Sequence, residues 1–223
     1  MSLFQPLNES EIRDLIKSGV DVNKRNISDN TSLHYQTVEG SVRLLIEAGA
    51  DVHTRNGFEN TPLHYQKNEG VVRLLIGEGA DVNVRNIWNS TPLHYQKNEG
   101  AMKLLIDAGA DIAVRDTFGN TPLHIQNDKR SVRLLIEAGA DVNVRNGCDI
   151  TPLRRNPVVK RVVKNMASER ITRFIRNCKW FRLHKLTKTF AFGKWYCGED
   201  DGNGGGTGRK VDHKRIMDTK FVR

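Results

Sequence analysis

The chain has 223 residues and a formal net charge of +9, with 35 Lys and Arg against 26 Asp and Glu. Its three cysteines are an odd number and its N-terminus lacks a signal-like apolar run, so the sequence predicts an intracellular, cytoplasmic protein, with nuclear entry left open. No run approaches the roughly 18 apolar residues of a membrane-spanning helix, so the sequence predicts no membrane span.

Residues 1–30 are predicted to form an N-terminal capping half-unit of the repeats that follow. Asn8 and Glu11 have the spacing of a helix N-cap in front of the apolar Ile12, and Gly19 stands where that helix should end. Terminal units of a stack differ from internal ones because one of their sides faces solvent or another domain.

Residues 31–150 contain four copies of a 30-residue unit, and a fifth copy opens at residue 151 and soon loses the pattern. Each full copy begins with a Thr-Pro-Leu-His type tetrapeptide and later has a Leu-Leu-Ile run that leads into a glycine. Thr before Pro is typical of a helix N-terminus, and Gly is typical of a helix C-terminus. Each unit is therefore predicted to hold two short antiparallel helices and an extended turn segment, stacked on its neighbours around one core.

The tetrapeptides, together with the Ala-Gly-Ala-Asp-Val-Asn run at residues 138–143, resemble the ankyrin-repeat family over about residues 7–153. The resemblance implies an all-α solenoid of helix pairs with projecting turns, which binds a protein partner rather than catalysing a reaction and uses no cofactor. The usual ankyrin period is about 33 residues. The first helix of each unit is therefore expected to be only one or two turns long, and the concave groove to be shallow.

A large side chain follows each tetrapeptide, where the family usually has an aliphatic core residue. We expect these side chains to fill the volume that the shortened first helix leaves. The residues concerned are Tyr35, Tyr65, Tyr95 and Ile125.

The copies differ at the third residue before each tetrapeptide, which is the tip of the turn and, in the family, a variable contact position. Phe58, Trp88 and Phe118 occupy this column and are predicted to form a row of exposed rings that binds a protein partner. The other interpretation is that each ring folds over its neighbour and stiffens the turns. The flanking residues assigned to the same partner-binding surface are Ile27, Ile87, Asn60, Ser90 and Asn120.

Two further columns are interpreted as scaffold. The tetrapeptide histidines have no Cys, Asp or second His at ligand spacing, so we predict no metal site, and the resemblance implies that their rings hydrogen-bond within and between turns. Arginines recur every 30 residues from Arg25, each four residues after an aspartate, and we expect ladders of opposite charge between neighbouring turns. The histidines are His34, His64, His94 and His124.

Residues 151–223 are predicted to form a C-terminal cap and a small, basic, aromatic-rich helical module. Residues 1–153 carry 16 Lys and Arg against 20 Asp and Glu, whereas residues 154–223 carry 19 against 6, so all of the excess positive charge lies in the tail. Helical spacing predicts one helix from residue 157 to about residue 166 and a second, amphipathic one over about residues 168–186. A Gly-rich stretch at 199–208 predicts a flexible loop.

Basic side chains interleaved with rings suit a nucleic acid, an anionic membrane surface or an acidic protein, and they equally suit a small cap domain whose charges are merely solvated. The tail is also weakly similar to C-terminal modules of large DNA virus proteins, which implies a virion or host-cell cytoplasmic location. The candidate polyanion-binding residues are Arg173, Arg176, Lys179, Trp180, Arg182, Lys185, Lys194 and Trp195.

The sequence thus predicts a non-enzymatic scaffold or adaptor that binds a protein through its turn tips and the adjoining concave face. The second hypothesis is a protein that binds nucleic acid or a virion component mainly through its basic tail. A catalytic function is disfavoured, because no nucleophile–base pair and no coupled carboxylates stand at a meaningful spacing.

Overall fold

The computed structural model describes residues 4–177. The chain divides into two compact units, Met1–Arg173 and Phe174–Arg223. All regular secondary structure in the described part is helical, and each full repeat contributes one short helical turn and one nine-residue helix. The α-helices are α1 (Glu9–Lys17), α2 (Glu39–Glu47), α3 (Pro62–Tyr65), α4 (Glu69–Gly77), α5 (Pro92–Tyr95), α6 (Glu99–Asp107), α7 (Pro122–Ile125), α8 (Lys129–Glu137), α9 (Pro152–Arg155) and α10 (Pro157–Asn177), and a 3₁₀ turn covers Ser32–His34.

The nine-residue helices α2, α4, α6 and α8 supply the continuous core. In α2 the side chains of Val42 and Leu45 are fully buried, and Leu45 has an equally buried equivalent in each later repeat. The helix ends, as predicted, just before Gly49, which has a φ of +86°. The Gly49 N–H donates to the Ile46 carbonyl over 2.9 Å, which satisfies a terminal carbonyl of the helix. The equivalents of Leu45 are Leu75, Leu105 and Leu135.

The first helix of each unit is a single turn, so the short period does shorten this element. In the second copy Thr61 is extended, with φ −89° and ψ 166°, and Pro62 takes the first helical position, where its missing N–H is not needed. The chain returns to an extended conformation at Gln66, with ψ 131°. Leu63 points into the core and is buried.

The loops that follow these single turns are joined by a column of buried amides that the sequence interpretation missed. The Gln66 Nε2 group donates to the Gln36 carbonyl over 3.0 Å, and Gln96 donates to the Gln66 carbonyl over 2.9 Å. Gln126 continues the series to the Gln96 carbonyl over 2.7 Å, and Asn156 donates to the carbonyl of Gln126. The signal was present in the sequence, since an amide residue recurs at this position every 30 residues.

Helix α1 closes the N-terminal end of the stack. The Asn8 Oδ1 atom accepts a hydrogen bond from the Glu11 N–H over 3.0 Å, and the Asn8 N–H donates to Glu11 Oε2 over 2.9 Å, which forms a complete capping box. Ile12 is fully buried, and the Leu7 N–H donates to Gln36 Oε1 over 2.8 Å.

The C-terminal helix α10 differs from the prediction of two separate helices. It runs without a break from Pro157 to Asn177. No Pro or Gly occurs after Pro157 in this stretch, so nothing in the backbone chemistry ends the helix near residue 168. Val159 and Val162, which helical spacing places on one face, are buried in the core cluster of the repeats.

Candidate protein-binding surface

Each repeat projects a five-residue turn, and the turn at residues 86–90 illustrates its construction. The Asn86 N–H donates to the Ser90 carbonyl over 3.0 Å, and the Asn89 N–H donates back to the Asn86 carbonyl over 2.9 Å. Asn89 has a φ of +55°, the left-handed conformation that closes the turn. The Asn86 Oδ1 atom accepts from the N–H groups of Trp88 and Ser90, both over 3.0 Å, so the turn is braced from inside.

Consecutive turns are also linked to each other through the backbone. The Ile87 N–H donates to the Phe58 carbonyl over 3.2 Å, and the Thr117 N–H donates to the Trp88 carbonyl over 2.9 Å. The Gly147 N–H donates in the same way to the Phe118 carbonyl over 2.8 Å. The tips therefore form one continuous ridge. The backbone bonds fix the position of each turn relative to the next.

The three predicted rings are brought together on this ridge. Phe58, Trp88 and Phe118 are 47%, 41% and 68% exposed. Phe58 stacks on Trp88 with a centroid distance of 5.5 Å and an interplanar angle of 21°. Phe58 and Trp88 thus support each other, and all three rings still present apolar area to solvent, so both interpretations of the column describe part of its geometry.

The flanking residues of the predicted surface divide into two groups. Ile27 and Ile87 are exposed beside the rings. Asn60, Ser90 and Asn120 are instead only 6%, 6% and 8% exposed, which corrects their placement on the binding surface.

The reason for this burial is that the residue two positions after each ring turns back into the stack. There Asn60 and Asn120 join side-chain ladders between repeats. The Asn86 Nδ2 group donates to Asn60 Oδ1, and the Asn146 Nδ2 group donates to Asn120 Oδ1, both over 2.8 Å. These side chains are part of the scaffold.

The tyrosine column was predicted to fill the core, and the structure shows that this is wrong. Tyr65 and Tyr95 are 42% and 41% exposed. The Tyr65 hydroxyl accepts hydrogen bonds from Asn56 Nδ2 over 2.9 Å and from Asn60 Nδ2 over 3.1 Å. The phenol hydroxyl has its polar partners at the base of the turn, so the ring stays partly exposed instead of entering the core. The tyrosines add exposed aromatic area below the ridge of turn tips.

The histidine column is scaffold, as its hydrogen bonds show. The Thr61 N–H donates to His64 Nδ1 over 3.1 Å, which leaves Nε2 to donate to the Ser90 carbonyl at the base of the turn at residues 86–90 over 3.2 Å. A carbonyl can only accept and an amide N–H can only donate, so this network assigns a neutral ring with its proton on Nε2. Burial lowers the pKa of His64 to about 4 and also lowers the pKa of the other three histidines in the column.

The arginine column does not pair with the aspartates four residues earlier. The Arg25 Nη1 group donates to the Arg55 carbonyl over 3.1 Å, and Arg115 donates to the Arg145 carbonyl over 2.9 Å. The aspartates instead accept from backbone N–H groups two residues later, as Asp51 does from His53 over 2.8 Å. These carboxylates accept hydrogen bonds from the backbone of their own segment, which the spacing of Asp and Arg in the sequence does not reveal.

Within residues 4–177, no group of three or more His, Cys, Asp and Glu side chains is arranged to hold a metal ion. A shallow pocket of about 290 Å³ lies where Ile125 replaces the tyrosine, between His124 and Arg155. No helix in the described part of the chain is long and apolar enough to cross a membrane.

Most of the predicted polyanion-binding residues lie outside the described part of the chain, as does the loop predicted at 199–208. Arg173 and Arg176 lie on helix α10, and their side chains are outside the described atoms. The remaining predicted residues outside the described part are Lys179, Trp180, Arg182, Lys185, Lys194 and Trp195.

The fold and the ridge define a class: a helical-repeat solenoid with projecting turns. Residues 65–146 match the family model described as ankyrin repeats, in three copies. Residues 65–146 are therefore ankyrin repeats, and the single-turn and nine-residue helices keep the same register on either side of them. A comparison with curated proteins gave no match. Ankyrin repeats are generally protein–protein interaction modules and typically not enzymes.

Proposed function

We propose that this chain is a non-enzymatic adaptor that binds a protein partner through the aromatic ridge, defined as Phe58, Trp88 and Phe118 with Ile27 and Ile87. The observation that supports this function is the fixed row of half-exposed rings, held by backbone bonds between consecutive turns. Rigid aromatic side chains bury much area on binding and lose little conformational entropy, which is the usual character of interface hot spots. The exposed rings of the tyrosine column extend this surface onto the adjoining concave face.

The test is affinity purification with quantitative mass spectrometry from cells that express the full-length chain. The triple variant Phe58→Ala, Trp88→Ala, Phe118→Ala is expected to lose the partners that the unchanged chain captures, because truncating hot-spot rings costs about 2 kcal/mol or more each. Circular dichroism is expected to show unchanged helicity, since all three rings lie outside the core.

A matched control replaces exposed cations on the outer helices, in the variant Arg43→Ala, Arg73→Ala, Lys103→Ala. These side chains lie on α2, α4 and α6, away from the turn tips. The control is expected to retain the partners. A triple ring variant that captures the same proteins in the same amounts would remove the ridge from the proposed function.

The second candidate function is nucleic-acid binding through the tail, and the charge division of the chain favours it. All of the excess positive charge lies in residues 154–223. Fluorescence anisotropy with labelled single- and double-stranded DNA and RNA is expected to show affinity that falls steeply with salt. The variant Arg173→Gln, Arg176→Gln, Lys179→Gln, Arg182→Gln is expected to reduce both the affinity and the salt slope, and equal binding by this variant would contradict the hypothesis.

A further inference from the structure

The turns of the ridge differ in charge, because the residue that closes each turn is acidic in some turns and uncharged in others. This position has a positive φ in all five turns, a conformation that Asp, Asn and Gly adopt easily. The fold therefore restricts the backbone there but not the charge. The residues in chain order are Asp29, Glu59, Asn89, Gly119 and Asp149.

In the second and fifth turns, the acidic residue at this position forms an ion pair with the arginine of the same turn. Arg55 pairs with Glu59, with 3.4 Å between Nη1 and Oε2, and Arg145 forms an ion pair with Asp149. The third and fourth turns have Asn89 and Gly119 at this position and so lack that carboxylate.

Arg85 is consequently a free cation on the ridge. Its guanidinium is exposed and makes no hydrogen bond or ion pair with any described residue, although it stands three residues before Trp88. Arg115 in the next turn uses one N–H to reach the Arg145 carbonyl over 2.9 Å, and the other donors of its guanidinium remain available.

The nearby carboxylates are engaged elsewhere. Asp81 accepts from the Asn83 N–H over 2.8 Å, and Asp111 accepts from the Ala113 N–H over 2.8 Å. Asp116 accepts within its own turn from the N–H groups of Phe118 and Asn120, both over 2.8 Å, and from Asn120 Nδ2 over 3.2 Å. The middle of the ridge therefore combines two cations that form no ion pair with a carboxylate of their own turn with the exposed apolar side chains of Ile87, Trp88 and Phe118.

We propose that this basic–aromatic patch, defined as Arg85, Ile87, Trp88, Arg115 and Phe118, binds an acidic segment of the partner protein in which carboxylates flank an aliphatic or aromatic side chain. The apolar side chain packs between the rings of Trp88 and Phe118, while the carboxylates receive N–H donors from the two guanidinium groups. Planar guanidinium groups suit this recognition because they can donate two parallel bonds to one carboxylate. The inference rests on the proposed function and names the chemistry of its partner.

The experiment selects a random peptide library, displayed on phage, against the immobilised full-length chain. We expect enrichment of peptides with Asp or Glu beside Leu, Ile, Phe or Tyr. Selection on the Arg85→Glu, Arg115→Glu variant is expected to lose the acidic preference. Selection on Arg13→Glu, Arg43→Glu, which makes the same change in net charge on helices α1 and α2, is expected to keep it.

A second pair of variants leaves both arginines in place. Asn89→Glu gives the third turn the arrangement of the second, in which Glu59 pairs with Arg55, so the new carboxylate is expected to pair with Arg85. Binding of a selected acidic peptide is then expected to weaken about tenfold at low salt. Asn89→Gln has the same size and no charge, and its affinity is expected to stay within about twofold of the unchanged chain. Thermal unfolding of each variant checks that the fold is intact.

The outcomes separate this inference from the proposed function. Apolar peptides that depend on Trp88 but carry no acidic preference would overturn the inference and leave the ridge as a binding site. An acidic preference that persists in the Arg85→Glu, Arg115→Glu variant would also overturn it, because the basic tail would then be the binding element. Peptide enrichment that is unchanged by Trp88→Ala would overturn both.

Discussion

At the scale of single residues, the turn tips contain backbone strain that a substitution can release. Glu59 has a φ of +58°, so a residue with a Cβ atom adopts the left-handed backbone conformation there. This conformation costs about 1–2 kcal/mol for an L-residue, and glycine avoids that cost but loses more chain entropy on folding. Glu59→Gly is therefore expected to raise the free energy of unfolding by about 0.5–1 kcal/mol, measured by urea denaturation.

Glu59→Gln is the matched control for this prediction. It keeps the left-handed strain and removes only the exposed ion pair with Arg55, a loss of under about 1 kcal/mol. If the glycine variant is less stable than the glutamine variant, strain at this position does not limit stability.

The sequence predicted the location of the rings at single-residue resolution but not the orientation of their neighbours. The column of Phe58, Trp88 and Phe118 follows from the period, because a fixed offset from each tetrapeptide gives the same place in each turn. Asn60 stands only two residues away, yet it is buried because the turn closes through a left-handed residue between them. That closure depends on hydrogen bonds between residues in space, which a one-dimensional pattern does not contain.

At the scale of elements, the buried amide column makes the loops of adjacent repeats interdependent. The Gln96 side chain makes three hydrogen bonds: Nε2 to the Gln66 carbonyl, and Oε1 from the N–H groups of Lys97 and Asn98, all over 2.9 Å. Gln96→Leu leaves the buried Gln66 carbonyl and the N–H groups of Lys97 and Asn98 without that partner. We expect the free energy of unfolding to fall by about 2–3 kcal/mol, measured by urea denaturation.

Gln66→Leu is the comparison at the equivalent position. Gln66 donates to two carbonyls, while its Oε1 atom is buried without a hydrogen-bond partner among the described residues. Its replacement removes that unsatisfied acceptor as well as the two bonds, so it is expected to cost about 1 kcal/mol less than Gln96→Leu. Equal or reversed costs would show that these side chains stabilise the loops by packing rather than by hydrogen bonding.

The elements that the sequence predicted are those with local signals. Thr before Pro and Gly after the Leu-Leu-Ile run determine where helices such as α3 and α4 begin and end. The shortness of the first helix suggests that the tyrosines fill the core, but it does not show that their hydroxyl groups have hydrogen-bond partners near the surface. The sequence pattern predicts two helices that meet near residue 168, whereas α10 is one helix because no Pro or Gly there ends it.

At the scale of the whole molecule, the four buried histidines link the stability of the stack to pH. Each imidazole accepts from an amide N–H and donates to the carbonyl that ends the following turn, so a second ring proton would face an N–H donor. The native pKa of His64 is lowered to about 4, against an ordinary value of 6.5, and burial lowers the other three as well. Between those two values the unfolded chain binds protons that the native chain does not, so stability falls as the pH falls.

Urea denaturation between pH 7 and pH 5 is therefore expected to show a steady loss of unfolding free energy, to which His64 alone contributes about 2 kcal/mol. This window lies above the range of Asp128, whose pKa is lowered from 3.8 by backbone N–H groups and whose contribution is lost only in stronger acid. His64→Gln is expected to reduce the pH slope by about one proton. A stability that stays constant from pH 7 to pH 5 would mean that the native stack accepts the protonated rings, and the hydrogen bonds of the histidine column would then not require neutral imidazoles.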